Sequence, residues 1–151
     1  MTRRSKLALA LVGVVAVGCL AGCQATTPGS VTRAVAQADA AKWTKQAVKA
    51  AASPAATTKT NGFEACRSDS GYFTTSYEWR TITDIAVSPS HQAAATAAIA
   101  AAFARSGWKE SRPGGLVTLR GGGTGKRMGL ITVQAAGPTG LAITVKSGCY
   151  A

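Results

Sequence analysis

The sequence predicts an α+β domain: a single antiparallel sheet with helices packed on one face. Three observations point there. Between Gly71 and about Thr83, apolar and polar residues alternate with a period of two, the mark of a half-buried strand. Two alanine-rich stretches, about 31–52 and 88–106, carry helical spacing instead. After Trp108, short alternating segments are separated by Gly- and Pro-rich turns, and such short connections join antiparallel neighbours. Elements of these two kinds pack as layers.

The first helix is expected over about 31–52. Ala36, Ala40, Trp43, Ala47 and Ala50 share one face, while Arg33, Lys42, Lys45 and Lys49 lie off it. A stripe of alanine buries little, so this helix depends on Trp43 to dock. Ser53-Pro54 is expected to end it, because the residue before proline avoids the helical region. Residues 55–62 read as a polar connection and 63–66 as a short strand. In the next strand, Phe73, Thr75, Tyr77, Trp79 and Thr81 face one way, and Thr74, Ser76, Glu78 and Arg80 the other. Ser88 is placed to cap the second helix, with Pro89 in its first turn. Ile99 and Phe103 lie on the inner side, and Gly107 supplies a left-handed stop after which Trp108 packs back on Phe103.

The remainder is β. Residues 108–112 read as extended, Pro113-Gly114-Gly115 as a turn, and Val117 with Leu119 oppose Thr118 with Arg120. A glycine loop follows over 121–125. Ile131, Val133 and Ala135 alternate with Thr132 and Gln134, 137–140 turns, and Leu141, Ile143 and Val145 alternate with Ala142, Thr144 and Lys146. The whole strand–helix–strand region spans about 62–150, with no internal repeats.

Upstream, the chain changes character. Thr2-Arg3-Arg4-Ser5-Lys6 is cationic, and Leu7 to Cys19 is almost free of polar side chains. A basic start, an apolar stretch of about 7–15 residues and small residues at its exit are the parts of a secretory signal. The apolar part is shorter than the roughly 20 residues of a permanent span. Leu20-Ala21-Gly22-Cys23 resembles the bacterial lipobox, which a lipoprotein-specific peptidase cuts before the cysteine. That resemblance implies a signal peptide over 1–22, a diacylglyceryl thioether on Cys23 and a place on the outer face of the cell membrane. Arg3-Arg4 hints at twin-arginine export, but Lys6 stands where that signal has a bulky apolar residue, so the general secretory route is expected. Residues 23–30 form the anchor and a flexible tether broken by Pro28 and Gly29, and 31–151 the envelope domain.

The chain has 17 basic and 6 acidic residues; three basic ones precede Cys23, which leaves fourteen against six, a charge of +8, on the mature form. Such a balance often marks nucleic-acid binding. An exported protein meets anionic headgroups and acidic wall polymers instead, so no nucleic-acid partner is expected. Of four cysteines, Cys19 leaves with the signal and Cys23 carries lipid. Cys66 and Cys149 remain and are expected to pair in an oxidising compartment, free buried thiols being the alternative. Two cysteines and one distant histidine are not a zinc ligand set, and no metal or other cofactor is expected.

The order of elements resembles that of small actinobacterial lipoproteins of unknown function. The resembling features are a lipobox, a helix bearing tryptophan, a strand near a cysteine, a helix closing in Gly-Trp, and strands ending in Cys. The resemblance transfers no activity.

Catalytic motifs fail on chemistry. Gly121 to Lys126 lacks the first glycine of a phosphate loop, which Arg120 replaces, and its magnesium-binding hydroxyl, which Arg127 replaces. His91 is the only histidine; Asp84, Ser88 and Ser90 are near it in sequence, which does not make a triad. Glu64, Asp69, Glu78, Asp84 and Glu110 show no spacing that argues for a hydrolytic pair. No catalytic residue is assigned. The expected activity is non-enzymatic binding by a lipid-anchored accessory domain. Arg80, Arg120 and Lys146 would lie on the wet sheet face toward an unidentified envelope protein or polymer. Lys42, Lys45 and Lys49 would point to the membrane. The alternative is an envelope hydrolase whose catalytic groups the sequence does not assemble.

Overall fold

The computed structural model describes residues 32–53, 55–67, 71, 73–122 and 128–150, and the side chains of all these except 67 and 73–75. The expected signal, Cys23, the tether, Asp69 and Lys126-Arg127 lie outside the described residues. Helix α1 (Arg33–Ala50) leads into the hairpin β1 (Ala56–Arg67) and β2 (Phe73–Ala86). Helix α2 (Pro89–Ala104) follows, then β3 (Lys109–Ser111), β4 (Val117–Gly121), β5 (Gly129–Ala135) and β6 (Gly140–Lys146). The strands form one sheet in the order β1-β2-β6-β5-β4-β3, antiparallel throughout. The last strand therefore closes the sheet between the first hairpin and the meander.

Both helices lie on one face. Helix α1 crosses β2 and β6, α2 crosses β3, β4 and β6, and the two touch each other. The period of two in each strand decides which residues they cover: Ile85, Leu119, Ile131, Ile143 and Val145 are all buried beneath them. Thr81 and Thr83 occupy the same face of β2 and are buried as well. Among the described residues no helix is long and apolar enough to cross a membrane.

Trp43 docks α1 as its alanine stripe requires. Ala36, Ala40 and Ala47 are fully buried, so the helix backbone approaches the sheet closely, and Trp43 fills the space between. It meets Trp108 edge to face at 5.0 Å, and Trp108 meets Phe103 likewise at 5.0 Å. Burying such an aromatic contributes about 3 kcal/mol. The rings rest on glycine: a Cβ on Gly129 would lie 2.3 Å from the Trp43 ring, and one on Gly121 would lie 2.8 Å from that of Trp108. These two glycines face each other across β4 and β5. Their role is to leave room for tryptophan, which the reading of 121–125 as merely a loop did not see.

The stop after α2 forms as expected. Gly107 has φ 80°, and Trp108 N–H donates to the Phe103 carbonyl at 3.1 Å.

Other expectations need correction. Residues 56–62 are strand, not connection; β1 is twelve residues long. Thr57, Thr58 and Thr60 suit a strand, but β1 is the sheet's edge and its first half is exposed, so no apolar alternation marks it. A register shift falls between Thr58 and Thr60. Ser88 makes no side-chain cap; its hydroxyl goes to His91 instead. Helix α1 ends at Ala50, and Ala52 turns the chain with φ 50°, before the proline is reached. Ala135 is exposed where the helices no longer cover β5, and Tyr77 is also exposed.

Cys66 of β1 is bonded to Cys149, with Cα atoms 6.1 Å apart. The segment after β6 continues along β2: Trp79 N–H donates to the Ser147 hydroxyl at 2.9 Å, and Tyr77 and Tyr150 exchange backbone bonds at 2.7 Å. The disulfide thus ties the chain's end across β2 to β1.

Candidate functional site

The face opposite the helices carries the candidate binding residues, and register fixes their order. One row across the sheet runs Gly62, Arg80, Lys146, Leu130, Arg120, Lys109. The row beside it runs Thr60, Ile82, Thr144, Thr132, Thr118, Ser111. Neighbouring strands lie about 4.8 Å apart, so one row carries four cations interrupted by Leu130, and the other five hydroxyls interrupted by Ile82. Period-two alternation within each strand supplied both, and pairing supplied the alignment.

Arg80, Arg120 and Lys146, grouped from sequence, do share this face. Their electrostatics differ. Glu64 and Glu78 stand directly opposite each other on β1 and β2. Arg80 Nη1 donates to both Glu64 carboxylate oxygens, at 3.0 and 2.9 Å, and Lys146 Nζ donates to Glu78. Glu78 is buried, so its carboxylate depends on that lysine. Two of the three cations are therefore neutralised locally. Arg120 is exposed and makes no ion pair among the described residues, and Lys109, which sequence reading passed over, stands beside it in the same state. Glu64 and Glu78 were likewise missed as neighbours; only the β1–β2 register brings them together.

Lys42, Lys45 and Lys49 are exposed on α1. Lys45 and Lys49 border a groove of about 590 Å³ between α1 and the β1–β2 hairpin. Lys42 stands apart from them at a smaller hollow, beside Asp39 and Trp43.

At the start of α2, Ser88 Oγ lies 2.7 Å from His91 Nδ1, beside a cavity of about 410 Å³. Residues three apart on a first turn meet for local reasons. Asp84 does not join them: it sits on the open face, 4.0 Å from Lys59. Cys66, Cys149 and Glu78 offer ligand atoms within 4.8 Å of one another. The sulfurs are bonded together and the carboxylate is held by Lys146, so this group does not present a metal ligand set.

A second cluster closes the end of the hairpin. Phe63 packs edge to face on Trp79 at 4.4 Å, and the Arg33 guanidinium lies over the Phe63 ring at 3.7 Å. Burial of Tyr150 beside them raises its phenol above the ordinary value; Arg33 opposes the shift and Tyr77 adds to it.

No protein-family model, no curated protein and no solved structure matches this chain.

Proposed function

We propose that the chain is an exported, lipid-anchored protein of the cell envelope that acts by binding, not by catalysis. Its partner is an anionic envelope protein or polymer. The observation that carries this reading is the sheet face left uncovered by the helices, where Arg120 and Lys109 make no ion pair among the described residues and stand beside a row of hydroxyls. Cations at strand spacing suit a polymer bearing repeated negative charge, and the hydroxyls add neutral donors and acceptors. The acids support it from the other side. Glu64, Glu78 and Glu110 are each bonded to a neighbouring cation, an arrangement that occupies carboxylates a hydrolase would need free.

Anchoring rests on Leu20-Ala21-Gly22-Cys23 after an apolar run. With Cys23 acylated, the α1 lysines would lie within reach of anionic headgroups, each attracted by about 1 kcal/mol near the surface. Cys23→Ala should leave an uncut or soluble form; identical detergent partition and N-terminal mass for both proteins would contradict the anchor.

The binding half is tested with Lys109→Gln/Arg120→Gln against poly-glutamate and a phosphodiester polymer. Affinity should fall about fivefold at low salt, and less at high salt. Unchanged binding would remove the sheet face from the account. The second reading, an envelope hydrolase, would have to use the Ser88–His91 pair beside the 410 Å³ cavity, which Asp84 does not join. A turnover-dependent activity lost in His91→Ala would move the assignment there.

A further inference from the structure

Helix α1 covers β2 and β6 but leaves the first half of β1 bare, and the uncovered strip is the floor of the 590 Å³ groove. Its volume lies within the roughly 300–1,000 Å³ of small-molecule sites. Ala41, Val48, Ala52 and Ala56 supply methyl surface. The hydroxyls around them are already satisfied by the protein. Thr44 Oγ1 donates to the Ala40 carbonyl at 2.8 Å, Thr81 Oγ1 donates to Asn61 Oδ1 at 3.3 Å, and Thr58 and Thr83 bond each other at 3.4 Å. With these hydroxyls bonded within the protein and a mainly apolar lining, the groove asks for an apolar body, not a sugar.

Charge is confined to the rim. Lys45 and Lys49 are four residues apart on α1, therefore side by side, and neither makes an ion pair among the described residues. Two adjacent cations repel each other, and an anion between them relieves the repulsion.

We propose that this groove binds a single-chain anionic amphiphile of the long-chain carboxylate class, its chain along the apolar lining and its carboxylate between Lys45 and Lys49. The site is separate from the open sheet face, which lies on the other side of the sheet, and does not rest on the reading of that face.

The test uses the full chain in zwitterionic phosphatidylcholine nanodiscs and a diazirine-bearing dodecanoate, with the matching dodecanol as the uncharged probe. After photolysis, mass spectrometry should place the label within residues 41–61 or 81–83. Labelling should fall about tenfold with the alcohol, and by as much in Lys45→Gln/Lys49→Gln. Ala41→Phe, at an exposed position on the groove wall, should block labelling while keeping both charges. Lys42→Gln lies outside the groove and should leave it unchanged, whereas general attraction to the bilayer would treat all three lysines alike. Label outside 41–61 and 81–83, equal labelling by the two probes, or indifference to the Lys45/Lys49 change would each overturn the proposal.

Discussion

Lys146 on β6 is bonded to Glu78 on β2, one register step away from its direct partner Arg80. The open face is therefore less cationic than its residue types suggest, and its charge can be raised by removing acids. Glu64→Gln/Glu78→Gln should free Arg80 and Lys146 and tighten binding of poly-glutamate severalfold at low salt, opposite in sign to Lys109→Gln/Arg120→Gln. Lys146→Met should cost stability, about 1–3 kcal/mol, because it leaves the buried Glu78 carboxylate without its partner. Denaturant titration reads the second effect and fluorescence anisotropy the first.

Gly129 and Trp43 make a matched pair, absence of a side chain against presence of the largest one. Gly129→Ala should destabilise by about 1–3 kcal/mol through overpacking, and Trp43→Ala by about 3–5 kcal/mol through the cavity it leaves. Combined, the two should cost less than their sum, since the alanine methyl then has room. Strict additivity in a double-mutant cycle would contradict the contact.

Tyr150 gives a pH signature. Its folded pKa is raised above 10.0, mainly by burial, so the neutral phenol is the form the fold favours. The unfolded chain loses that proton first as pH rises. The contribution is therefore complete below pH 10 and is lost as pH climbs through the folded value. In Tyr150→Phe, stability should fall less steeply above pH 10 than in the wild type, with little difference in slope between pH 7 and 9.

Cys66–Cys149 closes a loop of 83 residues. On the chain-entropy estimate such a bridge contributes about 4.5 kcal/mol, and its removal from a small domain costs about 2–5 kcal/mol. Cys66→Ser/Cys149→Ser should show this in thermal or denaturant unfolding. Two alkylatable thiols in the non-reduced protein would contradict the bond.

What the sequence made legible was what local rules control. The α2 stop at Gly107, the Trp108 return onto Phe103 and the inward Leu141-Ile143-Val145 set follow from spacing alone, and the one-faced helix layer follows from their sum. The first half of β1 was missed because an edge strand with both sides wet loses the apolar period that identifies a strand. Ser88 was misassigned because two partners, the helix N–H donors and the His91 ring nitrogen, competed for one hydroxyl. At the site, the sharing of a face by Arg80, Arg120 and Lys146 could be read from alternation. The neutralisation of Arg80 and Lys146 could not, since it depends on the register of β2 with β1 and with β6. The groove under Lys45 and Lys49 exists because α1 stops short of β1, a packing offset that no residue pattern encodes.

The most direct test of the binding account places a photo-crosslinking benzoylphenylalanine at Thr132, in the centre of the open face, or at Ala97, exposed on α2, in intact cells. The account predicts a discrete adduct from Thr132 that weakens with Lys109→Gln/Arg120→Gln, and none from Ala97. No adduct from Thr132, or one that ignores those two cations, would contradict it.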